Sequence, residues 1–157
     1  MRLFHLCLHG LLNSALQTGG MATLVAMPVF FPELVKPMDH KALYVTNNPL
    51  VLAKAKRDDV RGAADFADVL NMARNLVHKG HKLKSHPLSG SIKPGETPYK
   101  TVVLTKECGE LDLDSLRIIE DAITLAAGLL KQEKRHSDEA LADLRMIDYG
   151  LVFGRLS

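Results

Sequence analysis

Between His86 and Lys100 the chain gathers a titratable ring, small hydroxyl side chains and two ammonium groups: His86-Pro87-Leu88-Ser89-Gly90-Ser91-Ile92-Lys93-Pro94-Gly95-Glu96-Thr97-Pro98-Tyr99-Lys100. Three prolines fix φ along this stretch, while Gly90 and Gly95 allow close backbone approach. Ser89, Gly90 and Ser91 offer small donors and amides, and Lys93 and Lys100 add positive charge. Such residues suit the cradling of a carboxylate or phosphate. The order is neither that of a Walker loop nor that of a dinucleotide fingerprint. A stiff surface crossover between two strands would explain the same composition without any ligand.

A second turn, Asn47-Asn48-Pro49, follows a predicted strand and opens a predicted helix, where backbone N–H groups lie free. The candidate ligand-binding set is therefore Asn47, Asn48, Ser89, Gly90, Ser91, Lys93 and Lys100, and both turns are expected to meet beyond the carboxyl ends of strands. His86 is the candidate acid or base, because its ring titrates near neutrality, though no partner for it is visible in the sequence. His78, His81 and His86 fit no standard zinc spacing, so neither metal nor cofactor is expected. Ser89 and Ser91 lack the nucleophile elbow. Cys108 lies among Glu and Asp residues that disfavour a thiolate, and is expected to be structural or merely exposed.

These residues need a scaffold. Ala42 to Thr46 is an apolar run suited to a buried strand, and Asn48-Pro49 is a favourable cap and first position for a short helix over Leu50–Lys56. Val60 opens a brief second strand. Asp65 caps the clearest helix, whose Phe66, Val69, Leu70, Ala73, Leu76 and Val77 form one apolar stripe ending at Gly80. His81–His86 is expected as a strand, Pro87–Pro98 as a loop and Tyr99–Thr105 as a buried strand. A long helix follows from about Asp114 to Lys134, with Leu116, Ile119, Ile123, Ala126, Ala127 and Leu130 on one side. Ser137 caps a shorter helix to about Ile147, and Tyr149–Phe153 is expected as a last strand. Alternating strands and helices predict a single small layered α/β domain, with a three- or four-stranded, at least partly parallel sheet and flanking helices.

With 157 residues, the chain has room for one modest core. Trp is absent and Phe and Tyr are few, so aliphatic side chains must do most of the packing. The net charge of +2 gives no reason to expect nucleic acid or a membrane as partner. Locally the charges segregate: Arg74–Lys106 holds seven Lys or Arg against one acid, and the chain from Glu107 onward six against eleven. Blocks of this kind mark two solvated faces, or an anion-facing and a partner-facing side. Cys7 and Cys108 are not expected to form a structural disulfide, and a reduced cytoplasmic setting is the simpler reading.

Residues 1–37 differ in character. Arg2 and the apolar Leu3–Leu12 imitate a secretory signal, but His5 and His9 interrupt it. A short amphipathic arm is a second reading. The third, which best suits the pattern beginning after Pro37-Met38-Asp39, is a poorly packed extension upstream of a start at Met38.

Thr46-Asn47-Asn48-Pro49-Leu50-Val51, Leu76-Val77-His78-Lys79-Gly80-His81-Lys82-Leu83, His86 to Pro94 and Glu96-Thr97-Pro98-Tyr99-Lys100 together resemble the GrdX family. The blocks cover about Ala42–Leu104, and the resemblance runs more loosely through the acidic helical remainder. It implies a small protein encoded beside glycine, sarcosine and betaine reductase genes of amino-acid-fermenting anaerobes. It implies no activity and transfers no catalytic residue. The expected function is that of an accessory protein of such a system, binding a small anion or a reductase component. The alternatives are an enzyme on a small phosphorylated or carboxylated metabolite, using His86 as acid or base, and a docking protein that uses its acidic C-terminal half.

Overall fold

A computed structural model describes residues 41–132 and 134–154. The expected extension, residues 1–37, lies outside the described residues. Strand β1 (Ala42–Thr46) is followed by helix α1 (Pro49–Lys54), strand β2 (Val60–Gly62), helix α2 (Phe66–His78), strand β3 (Thr101–Thr105), helix α3 (Leu113–Leu129) and helix α4 (Asp138–Phe153). The sheet order is β2-β1-β3, with β2 parallel and β3 antiparallel to the central β1. Thr46 pairs with Gly62 on one side and Thr101 on the other, while Ala42 pairs with Thr105. The domain is thus a small α/β fold with a mixed sheet.

Strand alternation divides the core. Val45, Val102 and Leu104 face one cluster with Phe66, Val69, Leu70, Ala73 and Val77 of α2 and Ile119 and Ala126 of α3. Ala42, Tyr44 and Val103 face the opposite cluster, where Val51 of α1 and Tyr149, Val152 and Phe153 of α4 cover them. Burying each larger aliphatic side chain contributes about 1.5–3 kcal/mol. The α2 stripe packs as its period predicts. On α3 the stripe is shifted: Ala122 is buried and Ala127 is exposed.

Two expected strands are absent. Tyr149–Phe153 forms the last turns of α4, where the Tyr149 and Phe153 rings sit 4.8 Å apart. Residues four apart touch along a helix and are far apart along a strand. Packing of these rings on β1 outweighs the weak helix preference of Gly150.

The His81–His86 segment runs beside β3 with one antiparallel bridge, Leu83 to Leu104. Its ladder is interrupted because side chains take backbone partners. Val103 donates to Ser85 Oγ at 3.0 Å, and Leu83 donates to Ser115 Oγ at 3.0 Å.

Candidate functional site: a lysine cleft at one rim of the sheet

The Thr46–Thr101 pair ends the β1–β3 ladder on the face covered by α4. Asp148 of α4 comes down onto it, accepting from the Thr101 amide at 2.9 Å, the Thr101 hydroxyl at 2.7 Å and Asn48 Nδ2 at 2.9 Å. Because the Thr101 hydroxyl donates to Asp148, the Thr46 hydroxyl must be the donor in their 2.7 Å contact. Thr46 Oγ1 in turn accepts from the Asn48 amide at 3.0 Å. The hydrogen bonds thus run in one direction, from Asn48 through Thr46 and Thr101 to the carboxylate. All four residues are buried. Such a chain is favourable when complete and costly when one member is lost.

Asn48 also caps α1 by accepting from the Leu50 amide at 2.9 Å, and gives its second amide hydrogen to the Arg145 carbonyl at 2.9 Å. Asn47 clamps the segment entering β3: Oδ1 accepts from the Lys100 amide at 2.8 Å, and Nδ2 donates to the Pro98 carbonyl at 2.7 Å. Arg145 donates from Nε to the Tyr99 hydroxyl at 2.8 Å and so ties α4 to that segment.

Lys100 joins the two turns. Its backbone is held by Asn47, while Nζ reaches into the Pro/Gly loop and donates to the Ser89 carbonyl at 2.7 Å. Next to Ser89, Gly90 has φ +126°, a backbone conformation that favours glycine, and it packs against Leu151 of α4. Lys100 is buried, and the loss of water pushes its ammonium below the ordinary value of 10.5, against the opposing pull of the Asp148 charge.

Two cavities open around this lysine. One of about 310 Å³ is lined by Lys84, Ser85, Ser89, Lys100, Thr101 and Asp148 with Tyr44 and Phe153 among its apolar wall. A narrower one of about 20 Å³ lies on the loop side, against Ile92, Tyr99 and Leu144. Ser89, Lys100, Asp148 and Leu151 belong to both. Two lysines, two serines and a carboxylate on a partly apolar wall can orient a small anion and place its charge beside a desolvated ammonium.

Of the sequence candidates, Lys100 and Ser89 line the larger cavity. Asn47 and Asn48 supply the frame: both side chains are engaged within the protein, and the Asn48 and Asn47 amides donate to Thr46 Oγ1 and the Lys100 carbonyl. Gly90 is the seat of the loop on α4. Ser91 and Lys93 are exposed and line neither cavity. His86 is exposed as well, and its Nδ1 accepts from the Leu88 amide at 3.1 Å. Asp148, Lys84 and Ser85 were not singled out from sequence. Asp148 precedes a segment that reads as a strand, and nothing local links it to Thr101, 47 residues earlier.

No group of three or more His, Cys, Asp or Glu side chains among the described residues could hold a metal ion. Likewise, no helix among them is long and apolar enough to cross a membrane. A family model described as GrdX-like protein matches residues 43–157. No curated protein and no solved structure matches the chain.

Proposed function

The chain belongs to the GrdX-like protein family, and on that premise we propose that it is a cytoplasmic accessory protein of a glycine- or betaine-reductase-type system that holds a small anionic ligand in the Lys100 cleft. The observation that carries this reading is the buried Lys100 ammonium on the wall of a cavity of about 310 Å³. Asp148 compensates its charge only in part, since desolvation still dominates and lowers the Lys100 pKa. An anion entering the cavity supplies the missing compensation. Reductase components are the proposed partners, with the ligand as what the accessory protein senses or delivers.

A thermal-shift screen against phosphate, acetyl phosphate, glycine and betaine tests the reading, with Lys100→Met as control. At about 100 times its Kd, a native-state ligand adds about 2.7 kcal/mol, or roughly 5–10 °C for a chain of this size. The wild type is expected to shift and Lys100→Met is not. Equal shifts in both proteins, or none in the wild type with any compound, would remove the anion site.

The pH dependence has a defined sign. Lys100 has a lowered native pKa, so burying its charge costs stability at neutral pH, and that cost is relieved as pH rises towards 10.5. The anion requires the charged form. Phosphate affinity, followed from about pH 8 upward where phosphate stays a dianion, is therefore expected to fall as pH rises through the lowered value.

A further inference from the structure

Lys100 serves the anion site as a charge, but the surroundings of its nitrogen suit a second use. Lys100 is 7% exposed, and among the described residues its Nζ has one hydrogen-bond partner, the Ser89 carbonyl at 2.7 Å, and no carboxylate within ion-pair distance. Asp148 acts on it only through space, because its two oxygens are taken by the Thr101 amide and hydroxyl and by Asn48. The Ser89 carbonyl is neutral and can only accept. A buried ammonium held by one neutral acceptor is disfavoured against the free amine. The free amine keeps that hydrogen bond with one N–H and gains an open lone pair. The loss of water that lowers Lys100 below 10.5 therefore supplies a nucleophile at a pH where exposed lysines are ammonium ions.

The wall around this amine carries the other groups that a carbonyl compound needs. Ser85 lines the same cavity of about 310 Å³. Its Oγ accepts from the Val103 amide at 3.0 Å, and its own hydrogen has no acceptor among the described residues. That hydroxyl is an unspent donor for a carbonyl oxygen. Lys84 adds a second positive charge for an acid group, and Ala42, Val103 and Phe153 add apolar surface. The volume lies at the small end of ligand pockets, which suits a molecule of a few carbons.

We propose that Lys100 is a carbonyl-binding amine that holds a small 2-oxo acid or aldehyde acid as a reversible imine. This deepens the anion site proposed above and rests on it. The charged form of Lys100 draws the anion in, and loss of its proton frees the lone pair. Nitrogen then bonds to the carbonyl carbon as the C=O π pair moves to oxygen. Ser85 lends its proton to that oxygen and recovers one from the nitrogen, giving the carbinolamine. Water leaves, a C=N bond forms, and no oxidant or reductant is consumed. Once protonated, the imine returns the positive charge to its place between the ligand's own acid group and Asp148. Because an imine hydrolyses back to amine and carbonyl, the ligand can be released unchanged.

The test treats the full chain at pH 8 with glyoxylate, the smallest aldehyde acid, and sodium cyanoborohydride, which reduces an imine to a stable secondary amine. Peptide mass mapping follows the adducts, and the exposed lysines of the same chain are the internal standard, so no substitution is needed. Lys100 is expected to label about tenfold faster than they do, since each unit of lowering raises the free-base fraction about tenfold. Acetaldehyde, which lacks the acid group, should give Lys100 a smaller lead. The lead should close above about pH 10.5, where every lysine is largely free base. Lys100 labelling no faster than the exposed lysines at pH 8 would overturn the proposal, and an equal lead with acetaldehyde would overturn its ligand class. Phosphate separates the two levels. A thermal shift with phosphate but no preferred labelling of Lys100 keeps the anion site and removes the imine. An equal lead with both aldehydes and no phosphate shift removes the anion site as well.

Discussion

The two ends of β3 handle polar side chains in opposite ways. At the Thr101 end, Thr46, Asn48, Thr101 and Asp148 close a set of hydrogen bonds in which each buried donor and acceptor is matched, and Lys100 is held at its border. At the Thr105 end, His81 is buried with Nδ1 on the Thr105 carbonyl, and the exposed Cys108 sulfur lies against the face of its ring. The first end is built for position, because four elements meet in it and none can move alone. The second is built for access, because one backbone hydrogen bond at Gly80 holds the thiol while solvent reaches it. A closed network suits recognition by a fixed charge.

Removing the carboxylate that closes the first end is expected to have the largest effect. Asp148→Ala leaves the Thr101 amide, the Thr101 hydroxyl and one of the two Asn48 Nδ2 hydrogens without their acceptor, and it strips Lys100 of its compensating charge. The expected loss is about 3–5 kcal/mol, measured as a drop in urea midpoint. Cys108 reactivity towards glutathione disulfide should stay unchanged in the folded fraction. If the loss were under about 1 kcal/mol, the network would be incidental and the contrast between the ends would fall.

Gly80→Ala strikes the other end and ranks second. The left-handed backbone alone costs an alanine about 1–2 kcal/mol, and the Cβ also meets the Gly109 carbonyl. A loss of roughly 2 kcal/mol is expected by the same measurement. Phosphate binding at Lys100 should survive. Loss of binding at the far end would show that the two ends are coupled, and would overturn their separation.

Much of the scaffold was legible because local physics dictated it. The Asp65 cap with the Phe66–Val77 stripe and the Asn48-Pro49 start of α1 are short-range signals, and both elements stand where they were expected. The misreadings arose where tertiary contacts overrode such signals. Gly150 suggests a break, but the Tyr149–Phe153 rings pack on β1 and carry α4 through it. His81–His86 looks like a strand, yet Ser85 and Ser115 side chains occupy backbone groups that a ladder needs. At the site, the Pro/Gly loop and Lys100 stood out by composition. Asp148 is 47 residues from Thr101, and His81 is 27 from Cys108, so neither pairing leaves a local trace.

The smallest effect sharpens the comparison most cleanly, because it loosens the Thr105 end from outside. Asp112 caps α3 by accepting from the Ser115 amide at 3.0 Å and hydroxyl at 2.6 Å, and Ser115 Oγ in turn accepts from the Leu83 amide, two residues past His81. Those two Ser115 hydrogen bonds, with Lys82 nearby, hold Asp112 below its ordinary 3.8. A lowered native value means that this support is fully present above about 3.8 and is lost as pH falls through the lowered value. Asp112→Asn should therefore be slightly less stable than wild type at neutral pH, and the two urea midpoints should merge as acid protonates the wild-type carboxylate. The Leu83 amide should exchange its hydrogen faster in the variant, while the Asn48 amide at the far end keeps its protection. Faster exchange at Asn48 would mean that the sheet opens as one unit, and that its two ends differ in chemistry but not in rigidity.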